Sequence, residues 1–403
     1  MIPFRSNFVD RRQAKVWLKR IVFLLIQLLF YAKKTISIPF TPVKKVRSIL
    51  LVETAFLGDV IAITPLIEVL AKKMPNAIID VIVERKNIPI LQFESKINTL
   101  YGMNTSLYSS FFNSIIKLRK QAYDLVICTS PGVKNSMIAL LTGKSFITGY
   151  LVHPIRDTSF YNDFYAVMTG NNDKSFYPKT AHLTQRALTA VAPLGFNDMD
   201  FDNLRVRLRL SPKIDHQTKT ALKKKNFIEP GKINLVIHPC ASWVFKQWPL
   251  DSFVSLIKKL FEKYNGKIHI ILIGLPSEKS DLDFIKKNVP YKIMLLCGAN
   301  LTTVMGLIKC ADIFLGNDSG PKHIADAFSK PVVELLGPST PETVGGRNPK
   351  VHSCYANIRC SPCSHLECFN EGRCMKAITV ESVLPYLYSL IDKQLIMQRN
   401  VTY

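Results

Sequence analysis

The sequence predicts an α/β protein of two domains, on three observations. At 403 residues the chain is long enough for two full cores, and its 47% apolar and 10% aromatic content is that of a globular protein. Short continuous apolar runs, Ile49 to Val52 and Ile313 to Leu315 among them, each pass through a polar, Gly-containing turn into a helical pattern. That is the strand, loop, helix order of a parallel sheet covered by helices. The alternation then starts afresh at Ile233, after a polar, Lys-rich stretch. No collagen-like, coiled-coil or repeat period is present.

From the N-terminus, the chain opens on a basic arm. Residues 1–47 hold eleven Lys or Arg and one Asp, +10 of the formal net charge of +23. Such an excess favours anionic partners: a nucleotide, a phosphorylated glycan, a membrane surface or a nucleic acid. Ile21 to Tyr31 is apolar but for Gln27 and is bracketed by Lys19-Arg20 and Lys33-Lys34. It is too short for a spanning helix, which needs about 20 residues. Phe30-Tyr31-Ala32 also lacks the small-x-small pattern of a cleavage site. Residues 1–45 are therefore expected to form an arm lying in the interface of an anionic membrane, and the alternative is a helix packed on the protein's own core. A nucleic-acid partner is not expected, because no RNA or DNA module is recognisable and the densest basic region adjoins an apolar segment.

The first domain is expected over residues 46–210. Ile49 to Val52 reads as a buried strand that runs through Glu53 and Gly58-Asp59 into an apolar helix pattern from Val60 to Leu70. Asp59 stands at the carboxyl end of that strand, the edge where open α/β sheets bind ligands. A carboxylate there can take a proton from a hydroxyl group or cap the helix, and both readings stay open. Ala77 to Val83 and Tyr123 to Thr129 read as further strands, with a helix near Phe112 to Gln121 between them. Residues 150–180 are irregular, with Asp157, Asp163 and Asp173, and either shape an acceptor site or form a surface excursion. A helix pattern covers 182–192. The acids of Asp198-Met199-Asp200 have no partner spaced to complete a metal site.

A linker is expected near Leu210 to Asp215, with a second domain over 211–385 and a tail over 386–403. Strand Ile233 to Ile237 leads through His238, Ser242 and Lys246 to a helix from Leu250 to Tyr264; strand Ile268 to Ile273 ends at Gly274 and Glu278. Ile313 to Leu315 runs into Gly316-Asn317-Asp318-Ser319-Gly320, and Pro321 opens a helix. The amides of Ser319 and Gly320 then lie at the positive end of a helix dipole, where a phosphate binds well, with Asp318 and His323 beside them. Strand ends presenting Lys246, Glu278 and this turn on one sheet edge make one cleft.

Five segments in this order resemble the ADP-heptose lipopolysaccharide heptosyltransferases, glycosyltransferase family 9. They are Gly58-Asp59, the HPxAS-x3-K-x-WP run from His238 to Pro249, Asn317-Asp318-Ser319-Gly320-Pro321-x-His323, Gly337-Pro338-x-Thr340-Pro341, and the cysteine-rich tail ending Cys374-Met375. The resemblance implies a GT-B fold, two Rossmann-like domains facing a cleft, with acceptor on the first and donor on the second. It implies that Asp59 is the general base and that Lys246 with the amides of Ser319 and Gly320 neutralises the departing diphosphate, with no metal and no cofactor. Ser242, Glu278, Asp318 and His323 would complete the donor site. The implied partners are an ADP-sugar donor, a lipid-anchored glycan acceptor and the inner face of the cytoplasmic membrane, with inversion at the anomeric carbon. Transfer of another sugar, transfer to protein, and a non-catalytic sugar-nucleotide scaffold are the alternatives. Three positions depart from the family pattern: Glu53 stands for the usual Arg, Cys240 for Gly, and Lys322 for an apolar residue.

Nine cysteines are present, four of them, Cys360, Cys363, Cys368 and Cys374, at C-x2-C-x4-C-x5-C spacing. Metal ligands, two disulfides or reduced thiols all fit that spacing, and a reducing cytoplasm disfavours disulfides. In each case the cluster is structural.

Overall fold

A computed structural model describes residues 46–104, 107–130, 133–149, 182–191, 194, 196, 204–363 and 368–401. The basic arm, the irregular stretch 150–180 and Asp198 to Asp200 lie outside them.

Two parallel sheets form, each wrapped by helices. The first runs β1 (Ser48–Glu53), α1 (Leu57–Ala62), α2 (Thr64–Lys73), β2 (Ile78–Glu84), α3 (Ile88–Leu91), β3 (Thr99–Met103), α4 (Tyr108–Arg119), β4 (Tyr123–Cys128), α5 (Val133–Thr142) and β5 (Gly143–Gly149), followed by α6 (Leu183–Thr189). Its strand order is β3-β2-β1-β4-β5. Ile49, Leu50, Leu51 and Val52 are all fully buried, as an uninterrupted apolar run covered on both faces must be.

The second runs α7 (Pro212–Lys224), β6 (Ile233–His238), α8 (Leu250–Tyr264), β7 (Ile268–Gly274), α9 (Lys279–Asn288), β8 (Met294–Cys297), α10 (Leu301–Cys310), β9 (Ile313–Asn317), α11 (Gly320–Ala327), β10 (Val332–Leu336), α12 (Pro341–Val344), β11 (Val351–Tyr355), α13 (Arg373–Lys376) and α14 (Val380–Val401). Its order is β11-β10-β9-β6-β7-β8, again all parallel. The α8 pattern is amphipathic, and Phe253, Leu256, Ile257 and Leu260 bury one face against the sheet.

Three local expectations change. The helix expected from Val60 to Leu70 is two helices, because Pro65 has no N–H to give the carbonyl of Ile61 four residues back; the Thr64 hydroxyl takes that carbonyl instead, at 2.8 Å. The Lys-rich stretch after Leu210 is mostly the helix α7, whose first turn is capped by the Ser211 hydroxyl accepting from the Ile214 N–H at 3.3 Å. The boundary expected at 385/386 falls inside α14, which buries Leu387, Leu390 and Ile391 in the second core.

Candidate active site

Each sheet's strand order reverses once, between β1 and β4 in the first and between β6 and β9 in the second. In open parallel sheets ligands bind outside the carboxyl ends at such a point. Asp59 follows β1, Ser242 and Lys246 follow β6, Glu278 follows β7, and Asp318 to His323 follow β9. The topology thus carries every candidate residue to one of two facing edges.

At the first edge, Phe56 is extended and Asp59 is the third residue of α1, not its N-cap. The Asp59 carboxylate accepts the Phe56 N–H at 3.2 Å, closing the turn. Glu53, 1% exposed, accepts from the Ala55 N–H at 3.0 Å, the Thr129 hydroxyl at 2.8 Å and the Ser130 hydroxyl. Burial first, and then the nearby Asp59 charge, push its carboxyl up to about 7 against those three hydrogen bonds. Burial also raises Asp59, opposed by the charge of His323, the Phe56 N–H and Arg186. A cleft of about 560 Å³ opens beside this edge, lined by Thr54, Phe56, Glu84, Arg85, Lys86 and Asn104.

At the second edge the buried Asn317 accepts the Trp248 N–H at 3.0 Å and donates to the Pro239 carbonyl at 2.7 Å, which ties the Lys246 loop to the end of β9. Lys246 Nζ lies 2.5 Å from Asp318 Oδ2, and the Ser339 hydroxyl donates to the same oxygen at 3.2 Å. Lys322, wholly buried, donates to the Val344 carbonyl at 2.5 Å and sits 3.2 Å from Glu334 Oε2 and 3.8 Å from Asp318 Oδ1. His323 Nε2 is 3.6 Å from Asp318 Oδ1. Burial pushes the Asp318 carboxyl up, but His323, Lys322 and Lys246 together outweigh it and hold it well below the usual carboxylate range.

His238 joins the remaining members. Its Nδ1 lies 2.9 Å from the Ser319 hydroxyl and its Nε2 lies 3.5 Å from Glu278. Glu278 also accepts the Leu275 N–H at 2.7 Å. Burial works to raise its carboxyl, but the His238 and Leu275 hydrogen bonds outweigh it, so the carboxyl falls below its ordinary range. Ser242 is exposed in the same loop and takes no part in the described hydrogen bonds.

The two edges meet where α1 and α11 cross. A Cβ on Gly58 would come within 2.8 Å of the His323 ring, and one on Gly320 within 3.2 Å of Leu57. The glycine before Asp59 therefore allows close approach, and the raised carboxyl faces the imidazole across the cleft.

A family model described as glycosyltransferase family 9 (heptosyltransferase) matches residues 112–373. The chain belongs to glycosyltransferase family 9, the heptosyltransferases. Lipopolysaccharide heptosyltransferase 3 of Escherichia coli K12 is 30% identical over 294 residues, 70% of this chain and 79% of that one. Lipooligosaccharide heptosyltransferase 2 of Campylobacter jejuni serotype O:6 is 23% identical, over 72% of this chain and 88% of its own. Among solved structures, E. coli ADP-heptose lipopolysaccharide heptosyltransferase II superposes with a TM-score of 0.68 at 20% identity, covering 86% of this chain and 99% of that one. E. coli heptosyltransferase WaaC with ADP-2-deoxy-2-fluoro heptose does so at 0.61 and 18%, covering 85% and 99%. The fold of this family 9 chain is GT-B.

Of the three positions singled out in the sequence, Glu53 accepts from the hydroxyls of Thr129 and Ser130, and Lys322 pairs with the carboxylate of Glu334. Cys240 is buried, and burial with Glu278 and Asp281 nearby pushes its thiol far up. The parts played by His238, Asn317 and Ser339 are not visible in the sequence, because nothing local shows what a side chain will meet across a sheet edge. All nine cysteines are free thiols; Cys374 is raised by burial first, then by Cys363, Cys360 and Cys368. Among the described residues no group of His, Cys, Asp or Glu is arranged to hold a metal ion.

Proposed function

We propose that this family 9 glycosyltransferase moves a heptose from ADP-heptose to a lipid-anchored lipopolysaccharide core acceptor with inversion, at the cytoplasmic face of the membrane. The observation that carries the reading is the close approach at Gly58, which sets a raised carboxyl on one domain against a cationic, amide-rich helix terminus on the other. An acceptor hydroxyl in the first cleft gives its proton to the Asp59 carboxylate as its oxygen bonds to the anomeric carbon. The bond from that carbon to the diphosphate oxygen breaks, and the electron pair leaves with ADP. Lys246 and the first amides of α11 receive the charge that develops there. With one base and no protein nucleophile, the attacking oxygen enters opposite the leaving group. The names of related structures, which include complexes with ADP and with an ADP-heptose analogue, support the donor. Relatives named lipopolysaccharide and lipooligosaccharide heptosyltransferases support the acceptor class.

A panel of nucleotide sugars tests it. ADP-heptose at a hundred times its dissociation constant should stabilise the fold by about 2.7 kcal/mol, and NMR of the product should show the inverted anomer. Stabilisation by a different nucleotide sugar alone, or a retained anomer, contradicts the proposal.

A further inference from the structure

The helix α4 carries two faces of unlike character. Phe111, Ile115 and Leu118 are buried in a core with Leu50 and Val126, as a helix covering a sheet requires. On the outer side Phe112 and Ile116, one turn apart, are 50% and 58% exposed, and Leu107 just before the helix is 55% exposed. Lys117, Arg119 and Lys120 flank them and are exposed too. No Asp or Glu occurs between Lys96 and Tyr123. Apolar side chains ringed by cations without an acid complement a surface that is itself apolar beneath and anionic above. The location has a purpose as well. Asn104 lines the acceptor-side cleft, and Leu107 follows it by three residues, so the mouth of the cleft and this face are neighbours.

We infer that the outer face of α4 docks on an anionic bilayer, seating Leu107, Phe112 and Ile116 among the lipid headgroups. A lipid-anchored acceptor then reaches the cleft without leaving the membrane, which rests on the acceptor class proposed above. The docking itself does not. It would give the first domain its own membrane contact, separate from the N-terminal arm.

Sedimentation of the full chain with vesicles of phosphatidylcholine, alone or mixed with phosphatidylglycerol, tests it. Three proteins are compared: the unaltered chain, Phe112→Ser with Ile116→Ser, and Lys117→Gln with Arg119→Gln and Lys120→Gln. The cation variant should partition onto the mixed vesicles more weakly by about fivefold per charge, and the apolar variant by a comparable factor. Melting temperature should fall only slightly, through the edge contact of Phe112 with Phe111 and of Lys117 with Tyr101, with the protein still folded at the temperature of the assay. Transfer should fall for acceptor embedded in vesicles and hold for a short soluble acceptor. Unchanged partitioning of both variants overturns the inference, and so does unchanged partitioning with conversion of an oligomer to monomer, which would assign the face to a second copy. The partition measurement needs no turnover. A failed donor assignment would leave it standing.

Discussion

The two sheet edges are built alike and charged differently. In each, an extended apolar residue in the loop after a strand, Phe56 or Leu275, caps the next helical turn, and the acid three residues on, Asp59 or Glu278, accepts that residue's N–H. At the first edge burial raises both Glu53 and Asp59, and the Asp59 charge lifts Glu53 further, against their hydroxyl and amide partners. At the second edge cations surround Asp318, and His238 approaches Glu278, so both carboxyls fall. One topology therefore yields raised carboxyls on one side and cation-paired carboxyls on the other, which suits the base and the anion cradle proposed above. The difference lies in the charges beside each carboxyl: burial prevails at Glu53 and Asp59, whereas Lys246 in the loop after β6, Lys322 and His323 on α11, and His238 at the end of β6 outweigh it at Asp318 and Glu278.

The largest expected effect lies on the cationic edge. Lys322→Met leaves Asp318 and Glu334 short of a buried cation, and the cost should be about 3–5 kcal/mol by denaturant unfolding at neutral pH. The Asp318 carboxyl is depressed from 3.8. Its stabilisation is present above that unfolded value and is lost as pH falls below it, so variant and unaltered protein should converge in acid.

Next comes the contact between the edges. Gly58→Ala drives a methyl into the His323 ring and should lower transfer by about tenfold to a hundredfold through misplacement of Asp59. Steady-state kinetics beside a thermal melt would check this, with the melt little changed.

The anionic edge should show the opposite pH sign. Glu53 is raised from 4.5 to about 7, so its contribution is present below 4.5 and is lost as pH rises through 7. Glu53→Gln should match the unaltered protein below pH 4.5 and exceed it above pH 7 by about 3 kcal/mol. A variant less stable at pH 8 would mean that the carboxylate, not its burial, governs this site.

The smallest effect is none: in the proposed mechanism Lys246 and the α11 terminus carry the leaving-group charge, so transfer should persist in EDTA. Rapid loss of transfer with the circular dichroism intact would break the comparison at its cationic side.

What was legible in the sequence follows the range of the forces involved. The strands Ile49 to Val52 and Ile233 to Ile237 were readable because burial on both faces demands an unbroken apolar run, and α8 because its apolar stripe repeats at helical spacing. The motif residues Lys246, Asp318, Ser319, Gly320, His323 and Glu278 were readable from the strand ends they follow. The break at Pro65, the bridge made by His238 and the shelter of Glu53 by Thr129 and Ser130 were not. The first turns on one missing amide, and the other two join residues about 80 positions apart in the chain. The approach of Gly58 to His323 spans more than 260 positions and follows only from how the two sheets face each other.

The division of labour between the edges is tested most directly by measuring turnover and donor affinity together on Asp59→Asn, with Lys246→Met as the contrast. Asn keeps an oxygen that can accept the Phe56 N–H, so the fold should melt as before. It cannot take the proton, so kcat should fall on the order of a hundredfold to ten-thousandfold while the Kd for ADP-heptose stays unchanged by titration calorimetry. Lys246→Met should instead weaken that Kd by about tenfold to a hundredfold. Near-normal turnover by Asp59→Asn, or a loss of donor affinity equal to that of Lys246→Met, would contradict the assignment of base and cradle to opposite edges.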